Sequence, residues 1–415
     1  MSVRRWGAVA MALAIAAAAA TAPSAAAAQD FSADGPLWYL DAMKIQAIHD
    51  AGITGDGVTV AVFDAALDPE VSTLEGADIE VRQAEGCPDP LSGNRDDFEG
   101  LKHGTSVTSL IVGNGTSDSG AGPVGIAPGV RILYYGILQD SCEGDTFPAA
   151  LDDAVAQGAD IVTMSGGLNR LADELSQDSV DSVAAALREG VLVVAGLPNR
   201  DTVWEFVTTT INGVVNVASV DASAQAATQL DGSAMVNEDV DIVAPGIDVA
   251  GLGFDQTWGM SAWSGNSAAT PIVASLLALA KQKWPDASGS QLLQSMIRNT
   301  GSTPHELQWS DTFGHGIINA TRLVQEDPTQ YPDENPLFKD DQSPSFEEVF
   351  SATGTEPTGE PSAEDGSGPG ALPWMLGGGA VIVIAVAATA ILIGRKKRGS
   401  AWSEASLRGS RSRRS

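Results

Sequence analysis

Short apolar runs alternate with amphipathic stretches along most of the chain, and this alternation limits the possible folds more than any other feature. The run at residues 58–63 is rich in β-branched side chains, which is typical of a strand buried on both faces. Similar runs follow at residues 131–137, 160–164, 191–195, 214–220 and 240–243. Helical patterns occur at residues 147–156, 179–188, 267–283 and 291–299. The alternation predicts an α/β fold, a parallel sheet with helices on both faces.

The two ends of the 415-residue chain do not follow this pattern. A basic pair, an apolar run and a small-residue stretch occupy residues 1–28 in that order, which predicts a secretory signal peptide. Residues 374–394 carry no charge and are long enough to cross a bilayer as a helix. Four basic residues open the segment 395–415, which predicts a cytoplasmic tail. We therefore expect a single-pass cell-membrane protein whose globular part is extracellular.

A change in composition separates the predicted domain from the predicted span. Residues 29–325 carry the strand and helix patterns, whereas residues 326–373 are rich in Pro, Ser, Thr, Gly and acidic residues. Such a composition predicts a disordered, acidic, Pro-rich linker. Its apolar residues Phe346, Val349 and Phe350 could instead dock onto another surface.

The charge balance excludes one class of partner. The chain holds 53 acidic and 23 basic residues. Two basic residues lie in the predicted signal peptide, and eight basic residues and one acid lie in the predicted tail. The part between them therefore carries 52 acidic and 13 basic side chains, a net charge of −39. A surface this acidic repels phosphate backbones, so we expect no nucleic-acid partner.

Four polar residues fall where a parallel α/β sheet forms its ligand site. Ligands of such sheets bind beyond the carboxyl ends of the strands. Asp64 directly follows the first strand pattern, and Asn199 follows a later one. His103 is expected at the start of a helix, and Ser267 opens another helix among small residues. Each could be an ordinary cap or turn residue, but all four together in this order favour a catalytic site.

The residues around these positions resemble the motifs of subtilisin-like serine peptidases, the subtilases. Residues 60–64 (Val-Ala-Val-Phe-Asp) resemble the aspartate motif, residues 103–105 (His-Gly-Thr) the histidine motif, and residues 265–271 (Gly-Asn-Ser-Ala-Ala-Thr-Pro) the serine motif. The likeness covers about residues 38–324 and implies the subtilisin-like parallel sheet. Residues 38–45 and the overall plan more specifically resemble the mycosins, membrane-anchored subtilases of type VII secretion systems in actinobacteria.

The resemblance implies a serine endopeptidase with a catalytic triad. Ser267 would be the nucleophile, His103 the general base, and Asp64 the residue that orients the imidazole. The amide of Asn199 and the backbone N–H of Ser267 would bind the oxyanion. Ser261 also lies among small residues, but no helix pattern directly follows it.

The family likeness also implies the substrate and the partners. An extended polypeptide would pair with Ser165, Gly166 and Gly167, backbone to backbone. No metal or organic cofactor is required for this chemistry. Type VII secretion machinery is the expected partner complex.

Three departures from the family's motifs leave a second function open. Ala65 follows the aspartate where the family usually has a small hydroxyl residue, Pro198 replaces a glycine before Asn199, and Asn266 replaces a threonine before Ser267. None of these changes deletes a catalytic group. The alternative function is therefore a low-activity or inactive protease-like structural subunit of a membrane secretion complex.

Cys87 and Cys142 are the two cysteines of the chain. Both fall in polar loops of the part that we expect outside the cell, where disulfides form and persist. We therefore predict a bridge between them, with two separate thiols as the alternative.

Overall fold

The computed structural model describes residues 35–350, except for residues 92–93, 140, 167–175, 200–206, 230, 304 and 341. These residues all belong to the first of the two units into which the chain divides, Met1–Thr355. The predicted signal peptide, membrane span and tail lie outside the described residues. Within the described part, no helix has the length and apolar character required to cross a bilayer.

The described residues contain eleven strands, which form one large sheet and two hairpins. The strands are β1 (Thr59–Phe63), β2 (Ile79–Arg82), β3 (Asn114–Ser117), β4 (Gly120–Val124), β5 (Arg131–Tyr135), β6 (Ile161–Met164), β7 (Leu192–Gly196), β8 (Val215–Val220), β9 (Ile242–Pro245), β10 (Val249–Leu252) and β11 (Met260–Trp263). Seven strands make the central sheet in the order β2-β5-β1-β6-β7-β8-β9. Every neighbouring pair in this sheet is parallel, which confirms the predicted fold class. The hairpins β3–β4 and β10–β11 are antiparallel.

Helices cover the sheet on both faces. They are α1 (Trp38–Ala42), α2 (Ile45–Asp50), α3 (Phe98–Val112), α4 (Phe147–Ala156), α5 (Gln177–Arg188), α6 (Asn266–Lys283), α7 (Gly289–Arg298), α8 (Ala320–Gln325) and α9 (Phe346–Phe350), with three-residue to four-residue 3₁₀ helices at Ser72–Leu74, Val207–Thr210 and Pro328–Gln330. In β1, Val60 and Val62 join the apolar cluster that contains α3 and α6. Ala61 and Phe63 join the cluster of α4 and α5 on the other face. This alternation explains why the strand is apolar throughout.

Residues 326–350, which the sequence predicts to be disordered, pack onto the domain instead. We call this segment the C-terminal strap. Leu337 and Val349 are 5% and 0% exposed, and Phe338 and Phe350 pack against the cluster of α4 and α5. The prediction was wrong for this part because a few well-spaced apolar side chains outweigh an acidic, Pro-rich average composition. The rest of the predicted linker, residues 351–373, lies outside the described residues.

Polar contacts fix the strap to the amino ends of β8 and β9. Asn212 lies shortly before β8, and its Nδ2 donates to the carbonyl of Lys339 at 2.8 Å. The N–H of Lys339 donates back to the Asn212 Oδ1 at 2.7 Å. The Lys339 ammonium also pairs with Asp239 at 2.7 Å, close to the start of β9. The strap is therefore a part of the domain rather than a tether.

Asp241 is a buried carboxyl directly before β9. Its Oδ2 accepts a hydrogen bond from the N–H of Asn216 at 2.8 Å. Burial disfavours the charged carboxylate and raises the pKa of Asp241 to about 7, although that hydrogen bond and the charge of Lys339 act in the opposite direction. Ionised at pH 8, this carboxylate opposes folding.

We expect Asp241→Asn to stabilise the domain, and to do so more at pH 8 than at pH 5. The pKa of Asp241 is raised from 3.8 to about 7 by folding, so its contribution to stability is greatest below pH 4 and is lost as pH rises through 7. Asparagine keeps an acceptor for Asn216 without titrating. The gain should be larger at pH 8 than at pH 5 by about 3 kcal/mol. Thermal or urea unfolding at both pH values measures it, and equal gains would contradict the prediction.

Candidate active site

Asp64 and His103 form a hydrogen-bonded pair at the carboxyl edge of the sheet. Strand β1 ends directly before Asp64, whose side chain is completely buried. His103 Nδ1 donates to Asp64 Oδ1 at 2.7 Å, and the N–H of Ala65 donates to the same oxygen at 2.8 Å. This contact places the proton of a neutral imidazole on Nδ1 and leaves Nε2 as the acceptor.

Opposing effects set the pKa of His103. Burial disfavours the imidazolium, and the charge of Lys102 acts in the same direction. The negative charge of Asp64 and the hydrogen bond to it favour the imidazolium and outweigh those effects, so that the pKa of His103 is raised above 6.5. The pairing with Asp64 thus stabilises the imidazolium that forms when His103 accepts a proton.

His103 lies inside α3, and the prediction that it opens the helix is wrong. The helix begins five residues earlier at Phe98, after the cap residue Asp97. The Asp97 Oδ1 accepts the N–H of Gly100 at 3.3 Å. The first turn contains Gly100, a poor helix former, and follows the polar segment 94–97, which is why the sequence pattern did not reveal it.

The two residues after His103 allow α3 to pack closely against the loop that follows Asp64. A Cβ at Gly104 would overlap the Tyr134 hydroxyl, so only glycine allows this close approach. Thr105 Oγ1 accepts the N–H of Asp68 at 3.0 Å and donates to the carbonyl of Leu101. The His-Gly-Thr sequence thus has a local structural reason, because it holds the histidine helix next to the aspartate loop.

Asn199 is hydrogen-bonded to the start of α6, the helix that carries Ser267. Ser267 is the second residue of this helix and is 8% exposed. Asn199 follows β7, and its Oδ1 accepts the N–H of Asn266 at 2.6 Å. Because a backbone N–H must face the carboxamide oxygen, the Nδ2 group of Asn199 is directed away from this contact. The side chain is therefore oriented as a hydrogen-bond donor beside the helix start.

Asn266 connects the helix start to the sheet, a role that the sequence analysis missed. Its Nδ2 donates to the carbonyls of Leu197 and Pro198, both at 3.0 Å. Its Oδ1 accepts a hydrogen bond from Ser219 at 2.8 Å. The turn that carries Asn199 is held in place by these bonds, so Pro198 does not leave it unsupported. An asparagine at the first position of an otherwise apolar helix was the only signal in the sequence.

The alternative nucleophile, Ser261, lies in a different environment. It belongs to β11, in the antiparallel hairpin with β10. Its hydroxyl donates to the carbonyl of Gly251 across the hairpin, at 3.4 Å. Ser261 does not lie at the start of a helix. Among the hydrogen bonds of the described residues, none joins Ser261 to a side-chain amide such as that of Asn199.

Ser165 and Gly166, predicted to bind substrate, directly follow β6. This strand pairs with β1, and Met164 lies opposite Phe63, so both residues lie near Asp64 at the same sheet edge. Ser165 is buried, whereas Gly166 is partly exposed. A Cβ added at Gly166 would lie 3.0 Å from the Leu138 side chain, so its lack of a side chain keeps this edge open. Gly167 lies outside the described residues.

The structure joins Cys87 and Cys142 by a disulfide, with an S–S distance of 2.07 Å. The bridge links the loop after β2 to the loop after β5, and the N–H of Glu143 donates to the carbonyl of Gly86 at 2.7 Å beside it. The same β5 loop carries Leu138, whose N–H donates to the carbonyl of Asp64 at 2.9 Å. The disulfide therefore supports a loop that contacts the aspartate.

A cleft of about 420 Å³ opens beside Asn199 and Gly265. Its walls are Asn199, Ser219, Ala227, Thr228, Met235, Ile247, Ser264 and Gly265. The cleft offers room next to the helix start for part of a polypeptide. In the part of the chain that the structure describes, no group of three or more His, Cys, Asp or Glu side chains could hold a metal ion.

The fold is a parallel α/β sheet with a hydrogen-bonded aspartate–histidine pair at the carboxyl ends of its strands. Comparison with known proteins then identifies the family. Residues 55–316 match the sequence model of the Subtilase family, Peptidase S8, and the chain belongs to this family. It is accordingly a subtilisin-like serine endopeptidase, as the sequence motifs predict.

Individual relatives agree with this assignment. The chain is 28% identical over 301 residues to the minor extracellular protease Epr of Bacillus subtilis (strain 168), an alignment that covers 70% of this chain and 42% of Epr. The chain thus spans less than half of the length of that relative. It is 29% identical over 293 residues to Subtilisin Savinase of Lederbergia lenta, covering 68% of this chain and 96% of Savinase.

Solved structures show the same architecture. Fervidolysin from Fervidobacterium pennivorans, a keratinolytic enzyme related to subtilisin, matches with a TM-score of 0.57 at 23% identity. The match covers 74% of this chain and 48% of the fervidolysin chain. At this level of identity the likeness supports the fold, and the predicted subtilisin-like fold is confirmed.

Proposed function

We propose that the chain is a secreted, membrane-anchored serine endopeptidase with Asp64, His103 and Ser267 as its catalytic triad. The observation that carries the proposal is the 2.7 Å hydrogen bond from His103 Nδ1 to the buried Asp64. It leaves Nε2 free to take the proton of Ser267 as the hydroxyl attacks the peptide carbonyl. His103 then passes this proton to the leaving amine, while Asp64 stabilises the imidazolium.

The oxyanion of the tetrahedral intermediate would be bound by Asn199 and by the backbone N–H of Ser267. The carboxamide of Asn199 is oriented by its bond to Asn266, and Ser267 is the second residue of α6, where a backbone N–H has no carbonyl partner within the helix ladder. Two donors fixed before the reaction stabilise the developing charge without having to reorganise. No metal or organic cofactor takes part in these steps.

The substrate would be an extended polypeptide. Its backbone would pair with the edge that follows β6, at Ser165 and Gly166, with Gly167 as the third predicted residue. Backbone pairing recognises any extended chain, and side-chain specificity then comes from the walls around it.

Labelling with a fluorophosphonate probe tests the triad. We expect the purified protein to be labelled at Ser267, and His103→Ala to lose the labelling because the hydroxyl is then not activated. Peptide mapping by mass spectrometry identifies the labelled residue. Labelling at Ser261, or none at all in folded protein, would contradict the proposal.

A second function, a low-activity structural subunit, is favoured by one observation. Asp64 Oδ2 is buried and has no hydrogen-bond partner among the described residues, and Ala65 has no hydroxyl to offer it. A carboxylate with one unpaired oxygen is less well stabilised beside an imidazolium. Probe labelling at Ser267 combined with very slow peptide turnover would support this function over the first.

Membrane anchoring and export rest on the sequence alone. Residues 1–28 have the order of a signal peptide, and residues 374–394 have the length and apolar character of a span. We propose that the domain is extracellular, the tail 395–415 is cytoplasmic, and the partner is a type VII secretion complex. Protease protection of the tail in intact cells tests the orientation, and co-purification with secretion-complex subunits tests the partner.

A further inference from the structure

Three side chains extend in a row from His103. The ring of Trp263 lies 5.6 Å from the imidazole, centroid to centroid, at 82° in an edge-to-face arrangement. Phe254 stacks on Trp263 at 4.9 Å and 20°. The ammonium of Lys102 lies over the Phe254 ring at 5.3 Å. The histidine that we assign as the base thus contacts an aromatic ring that is itself packed from behind.

The hairpin β10–β11 holds Trp263 rigidly. The indole is 7% exposed, and its Nε1 donates to the carbonyl of Ala250 at 3.0 Å. A Cβ at Gly251 would overlap the indole, so glycine is required there for the ring to lie across the hairpin. A buried ring with a satisfied N–H and close backbone contact has little freedom to rotate.

The hairpin is also bonded to the helix that carries His103. Ser106 lies on α3, one turn after His103, and its side chain is fully buried. Its hydroxyl donates to the carbonyl of Leu252 at 3.1 Å and accepts the N–H of Leu252 at 2.8 Å. This pair of bonds fixes the distance between the two elements, and therefore between the indole and the imidazole.

We propose that Trp263 is a positioning residue, which fixes the plane of the His103 ring while Asp64 fixes its Nδ1 atom. A single hydrogen bond holds the ring at one atom and leaves it free to tilt about that contact. A rigid perpendicular ring removes the tilt and keeps Nε2 in one place. The inference rests on the proposed role of His103 as the general base.

The indole also determines how far water reaches the imidazole. The charged groups that act on His103 are Asp64 at the end of β1 and Lys102 on its own helix, whereas the hairpin contributes the aromatic rings. Burial disfavours the imidazolium, so removing the indole raises the pKa of His103 further. The neutral base then forms only at higher pH.

The test compares Trp263→Leu with Trp258→Leu. Trp258 lies in the turn of the same hairpin and is also 7% exposed, but it packs on Phe98 rather than on His103. For Trp263→Leu we expect kcat on a peptide substrate to fall roughly 10- to 100-fold with little change in KM. The acid limb of the pH profile of kcat/KM should move to higher pH. Trp258→Leu should change neither, and Trp263→Phe should recover part of kcat.

The kinetic constants of these variants distinguish a positioning role of Trp263 from a role in lining the substrate site. A raised KM with unchanged kcat and pH profile would mean that Trp263 only lines the substrate site, and would overturn the proposal. If Trp263→Leu does not fold, Trp263→Phe carries the test, and an unchanged kcat and acid limb in that variant would overturn it too. If His103→Ala keeps wild-type activity, the proposed triad is wrong, which is distinguishable from a failure of the positioning role alone.

Discussion

Ser267→Ala should lower kcat by roughly five orders of magnitude or more, because no other group in the site can replace the attacking hydroxyl. The variant should unfold at nearly the wild-type temperature. Ser267 lies in the first turn of α6, followed by the fully buried Ala268 and Ala269, and alanine preserves both the helix and this packing. Peptide hydrolysis and thermal unfolding of the same preparations separate the chemical effect from any structural one.

The matched control is Ser261→Ala. Ser261 also lies among small residues, but its hydroxyl bonds to Gly251 within a hairpin. We expect this variant to keep wild-type kcat. Cleavage by purified Ser267→Ala at the wild-type rate would refute the assignment, and loss of activity in Ser261→Ala alone would transfer the nucleophile to the hairpin.

Ending the chain after Glu326 should destabilise the domain by about 5 kcal/mol or more. The deletion removes four apolar side chains of the C-terminal strap that pack on the domain, namely Leu337, Phe338, Val349 and Phe350. Burying one such side chain contributes roughly 1.5–3 kcal/mol when burial is complete. Since a whole domain is stable by only about 5–15 kcal/mol, this loss is sufficient to unfold a large fraction of the protein.

A chain that ends after Phe350 is the control for this deletion, because it retains the whole strap. It should unfold at the same temperature as the longer protein, whereas the chain ending after Glu326 should be insoluble or unfold at a much lower temperature. The double substitution Leu337→Ala and Val349→Ala should reproduce part of the loss. Equal unfolding temperatures for the two shortened chains would show that the strap adds no stability.

The central sheet could be predicted because its strands are apolar on both faces. All six predicted strands are present, and the predicted helix 147–156 coincides with α4. Strand β2 and the two hairpins were missed, since short segments such as Asn-Gly-Thr-Ser in β3 have no apolar run. The strap was missed because composition averages over a segment, whereas binding depends on a few side chains such as Leu337.

The residues of the candidate site could be predicted better from the sequence motifs than from the strand and helix patterns around them. Asp64 and Asn199 could be assigned to the site because ligands of a parallel sheet bind at the carboxyl ends of its strands. His103 could be assigned because of the His-Gly-Thr motif that it begins. The contacts of Trp263 could not be predicted, because they depend on the position of a hairpin that has no helix or strand signal of its own. Asn266 was read as a departure from the family, yet it bonds to three different residues around the helix start.

The attachment points of the strap bear on how this enzyme could be coupled to a solid support. Asn212 and Asp239, which bind the strap, precede β8 and β9, whereas Asp64 and Asn199 follow β1 and β7. The two pairs of residues thus lie at opposite ends of the parallel strands, and the length of a strand, about 15 Å, separates them. Asp340 is an exposed residue of the strap, and Asp340→Cys would introduce a thiol there. A bead or resin bonded to this thiol would face the amino ends of the strands. Immobilisation at that point would leave the cleft open to large polypeptides.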